Sequence, residues 1–291
     1  MTAAGAALVN QQLLDLVALL QLERLELNLF RGESRDIGSP QVFGGQVLGQ
    51  ALAAACGTVE GRAAHSLHAY FLRRGDFNAP IIYEVDRSRD GASFSNRRVV
   101  AIQHGQPIFN MAASFQIAEQ GPDHQVPMPE VAPPEDLPDL TVEVRKHLQR
   151  MPAERRRFWS LERPFEFRSV EAIEAGEPSP GVRNLWFRLV DRCPDDPVLH
   201  QCLLAYMSDY HLLETATLPH GLAYPTAEIM LASIDHAMWF HRPVRVDEWL
   251  LYALVSPSSS GSRGLAFGRI FDRAGRLVAS TAQEGLMRTR G

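Results

Sequence analysis

The chain has 291 residues, 45% of them hydrophobic and 22% charged, which allows one large domain or two of ordinary size. Its formal net charge is −5, from 29 basic and 34 acidic residues. We therefore expect no nucleic-acid partner and no membrane-surface ligand, since both favour a strong basic bias. Three scattered cysteines argue against a disulfide framework. No apolar stretch reaches the ~18 residues of a membrane span, and residues 1–20 lack the features of a secretion signal, so we expect a cytoplasmic protein.

The first half of the chain has the pattern of an α+β domain. Residues 13–20 predict a short helix, and the alternation over residues 25–29 predicts a half-buried strand. Residues 43–55 are apolar or small almost all round, which indicates a helix buried on most sides. Turn signals at Asp90-Gly91 and His104-Gly105 then divide an antiparallel run of strands. These strands are residues 66–72, 81–86, 94–103 and 107–117.

A proline-rich segment separates this half from a second half of the same kind. Six prolines fall between residues 122 and 138, which indicates an extended loop, and residues 142–151 predict a surface helix. Residues 197–213 predict another helix that is apolar on most faces. The strands predicted around that helix are residues 165–170, 185–190, 233–240, 248–255, 264–271 and 277–287.

The two halves repeat one arrangement at a fixed distance. Phe71 and Phe240 are 169 residues apart, and so are Tyr83 and Tyr252. This period is far longer than a solenoid unit, so it predicts two fused copies of one domain, with chance similarity of two antiparallel sheets as the alternative. Two such sheets can pair edge to edge and leave a ligand cleft between the halves. The predicted division is a domain at 1–118, a linker with a surface helix at 119–160, and a domain at 161–291.

Common catalytic motifs are missing from the sequence. There is no G-x-S-x-G nucleophile elbow, no G-x-G-x-x-G dinucleotide fingerprint and no P-loop. The histidine pairs lack the carboxylates and spacing of H-E-x-x-H, and no two cysteines have a zinc-like spacing. We therefore expect neither a metal nor a cofactor.

Asp209 is unusual because it lies in the apolar stretch 203–213. Burying an unpaired carboxylate is unfavourable, so this side chain must be paired, hydrogen-bonded or held there for a task. The alternative is that Asp209 only caps the end of the helix. Ser233 and Gln283 are polar positions on two predicted strands, where an outward-facing side chain is the simpler interpretation.

Six segments of the sequence resemble signatures of the acyl-CoA thioesterase II family, whose members are double hotdogs. They are VFGGQVLGQ (42–50), HSLHAYFLR (65–73), DGASFS (90–95), IDHAMWFHRP (234–243), EWLLY (248–252) and VASTAQEG (278–285). The resemblance implies an α+β double hotdog, in which each fused domain wraps an antiparallel sheet around a buried central helix. It also implies hydrolysis of medium- to long-chain fatty acyl-CoA to free fatty acid and CoA, and assembly as a homodimer or homotetramer.

The same resemblance implies a site in which Asp209, Ser233 and Gln283 hold a water against the thioester carbonyl. Family members often have Thr where this chain has Ser233, but the hydroxyl is retained. Ala64 and Ala113 lie at the corresponding positions of the first half. The family pattern therefore predicts one active site per chain, in the second half.

Substrate contacts are predicted at four further residues of the second half. Met238 and Trp239 are candidates for lining an acyl-chain tunnel, although ordinary core residues have the same character. Arg242 and Arg263 are candidates for binding the CoA phosphates. Two other functions stay open: a hotdog acyl-CoA hydratase or dehydratase, with His211 near Asp209, and a non-catalytic acyl-CoA-binding module.

Overall fold

A computed structural model describes residues 10–151, 153–172, 177–222 and 229–289. The helices of this part are α1 (Gln11–Leu20), α2 (Gly44–Cys56), α3 (Leu140–Arg145), α4 (Ala153–Ser160) and α5 (Pro197–Ser208). The strands are β1 (Glu23–Glu26), β2 (Leu29–Gly32), β3 (Ala63–Phe71), β4 (Ile81–Asp90), β5 (Phe94–Gln103), β6 (Gln106–Gln116), β7 (Phe165–Ser169), β8 (Val182–Leu189), β9 (Ile229–Ser233), β10 (Asp235–Phe240), β11 (Leu250–Ser260), β12 (Arg263–Asp272) and β13 (Leu277–Thr289).

The thirteen strands form one antiparallel sheet that runs through both halves. Their order is β1-β2-β4-β5-β6-β3-β10-β13-β12-β11-β8-β7, and β9 pairs with β13 outside this path. The halves join where β3 pairs with β10, with Tyr70 opposite Asp235 and Ser66 opposite Trp239. The sheet of each half packs on one buried helix, α2 or α5, and residues of both helices share one hydrophobic core. This is the predicted α+β double hotdog.

The two central helices lie side by side and run in opposite directions. A Cβ added to Gly45 would overlap the carbonyl oxygen of Tyr206, and one added to Gly49 would lie 3.0 Å from the carbonyl oxygen of Cys202. Glycine therefore permits a contact between helix backbones that a larger residue would prevent. Because Gly45 is in the first turn of α2 and Tyr206 is near the end of α5, the amino terminus of one helix lies beside the carboxyl terminus of the other.

Equivalent tyrosines connect each sheet to the helix of its own half. The Tyr83 hydroxyl donates to Gln50 Oε1 in α2 at 2.7 Å, and the Tyr252 hydroxyl donates to the Ser208 carbonyl at the end of α5 at 2.9 Å. Both rings are fully buried. The 169-residue repeat of the tyrosines in sequence thus corresponds to a repeated contact in the fold.

The second buried helix is shorter than the predicted range 197–213. It ends at Ser208, with Asp209 as its C-cap, and a 3-10 helix follows over Leu213–His220. His211 has a φ of +63°, in the left-handed region, which an α-helix cannot continue through. Apolar residues continue past the helix end because this segment stays buried, so hydrophobicity alone extended the prediction too far.

The alternation at residues 25–29 is a tight hairpin rather than one half-buried strand. β1 pairs with β2, and Leu27, between them, is 62% exposed. The leucines therefore do not share a buried face. The error has a local cause, because a period of two in the sequence does not distinguish a strand at the end of a sheet from one that packs on the core.

The proline-rich segment packs as an extended chain on the outer side of the sheet in the second half. The indole Nε1 of Trp186 donates to the Ala132 carbonyl at 2.9 Å, and Gln125 Nε2 donates to the Gly275 carbonyl at 2.7 Å. The surface helix predicted at 142–151 is only the short α3 followed by a 3-10 turn. Where the domains divide stays a prediction. No helix within the described ranges is long and apolar enough to cross a membrane, and residues 1–9 lie outside those ranges.

Candidate active site

The end of α5 brings Asp209 to the junction of the two halves. The helix begins at an Asp196 N-cap that accepts from the Val198 and Leu199 N–H groups, and Pro197 follows at the first helical position. Its other end is held to the sheet by the hydrogen bond from the Tyr252 hydroxyl to the Ser208 carbonyl. The next residue, Asp209, therefore starts from a fixed backbone position.

The Asp209 carboxyl is surrounded by hydrogen-bond donors from three elements. Gln283 Nε2, in β13, donates to Oδ1 at 2.7 Å. The Ser233 hydroxyl, at the end of β9, and the backbone N–H of Gly45, at the start of α2, are also placed to lower the pKa of this carboxyl by hydrogen bonding. Its side chain is 7% exposed. The structure thus brings together the three residues predicted for the site, and it adds a backbone donor from the other half.

Gly44 lets the amino terminus of α2 come close to this carboxyl. A Cβ at Gly44 would lie 2.6 Å from Asp209 Oδ2 and 3.1 Å from the ring of Phe71. The N–H groups in the first turn of a helix have no partners within that helix, and the helix dipole makes this end favourable for negative charge. The sequence did not predict this role. A glycine pair opening a helix without a side-chain cap was the available signal.

Two opposing effects act on the acidity of Asp209. Burial raises the pKa of its carboxyl above the ordinary 3.8, while hydrogen bonds from Gln283, Gly45 and Ser233 lower it. Burial is the larger effect. A carboxylate with a raised pKa is a stronger base than an exposed one, and it is held here by directed donors.

The Gln283 side chain is buried, and its amide nitrogen has hydrogen-bond partners while its amide oxygen has none among the described residues. Its Nε2 donates to Asp209 and also lies 3.1 Å from Nδ1 of His236. Its Oε1 is buried and has no hydrogen-bond partner within the part of the chain that the structure describes. An unpartnered buried acceptor is unfavourable in a folded protein, so this oxygen is suited to a polar ligand.

The predicted strand 233–240 is interrupted immediately after Ser233. Ile234 separates β9 from β10, and its N–H donates to the Glu284 carbonyl at 3.0 Å. The Asp235 carboxyl accepts from the Glu284 N–H at 2.7 Å. Asp235 thus hydrogen-bonds the backbone next to Gln283 and stabilises the interruption that sets where Ser233 lies.

The two apolar candidates for substrate contact lie on opposite faces of β10. Met238 is fully buried in the core on the same face as His236, two residues away. Trp239 is 37% exposed on the outer face, where its ring packs edge-on against His68. Of this pair, Met238 alone faces the side of the sheet that carries Gln283.

The two arginine candidates for phosphate contact have acidic partners within the chain. Arg242 pairs with Asp123 at 2.5 Å and donates to the Leu277 carbonyl at 2.6 Å. Arg263 pairs with Glu284 at 2.9 Å. Both pairs include an exposed acid, so the guanidinium groups can exchange these partners for a ligand phosphate at modest cost.

A buried arginine occupies the corresponding region of the first half. Ala113 pairs across the sheet with Arg97, whereas Gln283 pairs with Ala266. The Arg97 guanidinium donates to Thr58 Oγ1 at 2.9 Å and to Asp90 at 2.7 Å. In the first half, the space near the end of α2 therefore holds a paired cation and lacks the Gln side chain.

Comparison with known families gives two matches along the chain. The model of the acyl-CoA thioesterase N-terminal domain matches residues 31–116, and the acyl-CoA thioesterase model matches residues 155–286. Acyl-CoA thioesterase 2 of Haemophilus influenzae is 45% identical over 94% of this chain and 97% of its own length. Human acyl-coenzyme A thioesterase 8 is 41% identical over 93% of this chain and 88% of its own length.

Solved structures show the same relationship. The acyl-CoA thioesterase II TesB2 of Mycobacterium marinum has a TM-score of 0.79 and 43% identity, covering 95% of this chain and 99% of that one. The fold and these matches define a double-hotdog thioester hydrolase. Together with the sequence matches, they show that the chain belongs to the acyl-CoA thioesterase II family.

Proposed function

We propose that this chain hydrolyses medium- to long-chain fatty acyl-CoA with a water that Asp209 deprotonates and that Ser233 and Gln283 orient. The observation that carries the proposal is the buried carboxyl with both partners on one side of the sheet, next to Gln283 Oε1, which has no partner among the residues that the structure describes. Family membership supplies the substrate class. The geometry supports the role proposed for each residue.

The reaction needs little beyond this set of groups. The water oxygen bonds to the thioester carbonyl carbon while one water proton passes to Asp209. The carbon–sulfur bond then breaks, and the thiolate leaves without strong acid assistance, because a thiol has a pKa of only ~8.5 against ~15.7 for water. The proton on Asp209 is released as fatty acid and CoA depart.

The negative charge that develops on the carbonyl oxygen needs donors. The backbone N–H groups of Gly44 and Gly45 are suitable, because they precede the first N–H groups that bond back to the Phe43 carbonyl, those of Gln46 and Val47, and they lie beside the Asp209 carboxyl. They come from the first half of the chain. In this proposal the first half is part of the active site although it lacks an acid of its own there.

The remaining expectations concern the substrate and the assembly. We propose that Met238 contacts the acyl chain and that Arg242 and Arg263 bind CoA phosphates, while Trp239 contacts substrate only from the outer face. A cytoplasmic location and a homodimer or homotetramer stay predictions from the sequence. Light scattering of the purified protein measures the assembly directly.

A hydratase or dehydratase would require a histidine that shares the substrate with Asp209. His211 Nδ1 instead hydrogen-bonds Glu214 at 2.9 Å, and its ring packs edge-on against Phe167. These contacts favour hydrolysis. Release of free thiol from palmitoyl-CoA and a medium-chain ester separates the possibilities, since a hydratase alters the acyl group without freeing thiol and a binding module does neither.

The test of the mechanism is Asp209→Asn. We expect thiol release to fall by ~10²-fold or more, because Asn retains the shape but cannot accept the proton. Ser233→Ala and Gln283→Ala should each lose less, since they orient the water without taking its proton. Wild-type turnover in the Asn variant would remove Asp209 from the role of base.

The stability of Asp209→Asn is the control for its expected loss of turnover. A raised pKa in the folded protein means that Asp209 stabilises the fold below the ordinary 3.8 and that this contribution is lost as pH rises through the folded value. At neutral pH the ionised carboxyl is therefore unfavourable for folding. Asp209→Asn should unfold in urea at a midpoint no lower than wild type, which shows that lost activity is not lost folding.

A further inference from the structure

The imidazole of His236 is the second partner of the Gln283 amide. Its Nδ1 lies 3.1 Å from Gln283 Nε2, and its Nε2 lies 3.0 Å from Ser208 Oγ. The side chain is fully buried, so both ring nitrogens are engaged within the protein. Burial lowers the pKa of His236 to about 3, so the ring is neutral and carries one N–H. It is therefore unsuited to act as the base.

The neighbouring hydroxyl determines which ring nitrogen carries that proton. The Ala205 carbonyl can only accept a hydrogen bond, so the single proton of the Ser208 hydroxyl is donated to it, at 2.8 Å. Ser208 Oγ must then accept from the ring, so the N–H is at His236 Nε2. Nδ1 keeps its lone pair and accepts from the Gln283 amide. The opposite tautomer would place an N–H against an NH₂ group.

This ordering determines how the Gln283 amide is oriented. Both N–H bonds of its Nε2 are used, one toward His236 Nδ1 and one toward Asp209 Oδ1. A flipped amide would set Oε1 against the Asp209 carboxylate and the ring lone pair, which are two contacts between acceptors. The amide oxygen is therefore directed to the remaining position, where it is buried and has no partner among the described residues.

We infer that Ser208 and His236 are positioning residues, which hold Gln283 in the one amide orientation that leaves its Oε1 free to accept a hydrogen bond from the water that Asp209 activates. This inference rests on the proposed function. It extends the site by two residues that contact neither substrate nor water. They belong to a chain of hydrogen bonds from the Ala205 carbonyl to the Gln283 amide, in which each donor and acceptor is determined by its neighbour.

Two substitutions of His236 separate this role from packing. His236→Asn keeps an acceptor close to the position of Nδ1, whereas His236→Gln keeps a polar group only near Nε2. We expect His236→Gln to lower kcat by ~10-fold with KM within about twofold, and His236→Asn to recover most of that loss. Ser208→Ala should also lower kcat several-fold, because the ring proton is then no longer directed. Wild-type kcat in His236→Gln, or equal losses in both variants, would overturn the inference.

His241→Gln is the matched control. His241 Nε2 lies 2.8 Å from Ser280 Oγ at the outer surface, so it forms the same kind of pair without contacting the Gln283 amide. We expect its kcat to match wild type. If Asp209→Asn is inactive while His236→Gln has wild-type kcat, this inference alone fails. If Asp209→Asn itself is fully active, the proposed function fails first.

Nitrogen-15 NMR of the histidine side chains tests the inference on the wild-type protein without any assay. The signal that disappears in His236→Asn should have the pattern of a neutral ring with N–H at Nε2 and an unprotonated Nδ1. An Nδ1–H tautomer, or a ring that exchanges between both, contradicts the directed chain. Because the measurement uses the wild-type protein, poor folding of His236→Gln or Ser208→Ala leaves it decisive.

Discussion

At the scale of single residues, the site depends on a carboxyl in a place that is unfavourable for charge. Burial raises the pKa of Asp209, and three donors limit the rise. Burial makes the group a stronger base than an exposed carboxyl, and the donors favour the ionised form that accepts the proton. Gln283 therefore has two effects, one on the water and one on the acid.

This balance predicts the pH dependence of turnover. The rate should fall on the acid side as Asp209 becomes protonated, with a midpoint above 3.8 because burial raises its pKa. In Gln283→Ala, loss of a hydrogen bond to the ionised form should move that midpoint to higher pH. A kcat profile against pH for both proteins measures the shift. An unchanged or lower midpoint would show that the Gln283 amide does not stabilise the Asp209 carboxylate.

At the scale of elements, the contact between α2 and α5 joins the two halves at the site. Glycines at the start of α2 allow its amino terminus to approach the carboxyl end of α5, which places a backbone donor at Asp209. Alanine is the better helix former by ~1 kcal/mol, so glycine at these positions reflects packing and not helix propensity. The close approach is thus linked to the chemistry.

Gly45→Ala should separate the two helices. Its Cβ would overlap the Tyr206 carbonyl, and the resulting strain should lower the free energy of unfolding by about 1–3 kcal/mol despite the gain in helix propensity. Turnover should fall as well, because the N–H of Gly45 moves away from Asp209. The control is Gly121→Ala, where an added Cβ has no neighbour within 4 Å. Urea midpoints and kcat for both variants give the answer, and equal stability of the two would refute the packing argument.

At the scale of the whole molecule, the two halves form one structure although they are copies in sequence. The sheet is continuous through the β3–β10 pair, and one core includes residues of both central helices. The copies have diverged around the site: Gln283 faces the acid in the second half, where the first half has Ala113 paired with the buried Arg97. The first copy therefore supplies part of the scaffold and a backbone donor, and the second copy supplies the acid.

Shared sheet and core predict that the protein unfolds in one cooperative transition. All four tryptophans lie in the second part of the chain, at or after Trp159, so their fluorescence reports on that part, while far-UV circular dichroism reports on both halves. The two urea curves should coincide. Two separated transitions would mean that each half is an independently stable domain.

Much of the fold was predictable from sequence because it depends on local patterns. The apolar stretches that became α2 and α5 and the turn glycines reflect short-range chemistry and predicted an α+β pattern, while the 169-residue repeat predicted two fused copies. The double hotdog itself was implied by the resemblance to the family. The ends of elements were predicted less well. The end of α5 at Ser208 and the interruption at Ile234 depend on partners far away in sequence, such as Tyr252 and Glu284.

For the site, the sequence determined which residue types are present, and the apolar surroundings of Asp209 together with the family motifs pointed to this acid. Only the tertiary structure decided that Asp209 is buried beside Gln283, that Gly45 of the other half donates to it, and that Ser208 and His236 direct the amide. The physical reason is that hydrogen bonds and desolvation depend on distances of a few ångströms between residues that are far apart along the chain, and a linear pattern does not contain those distances.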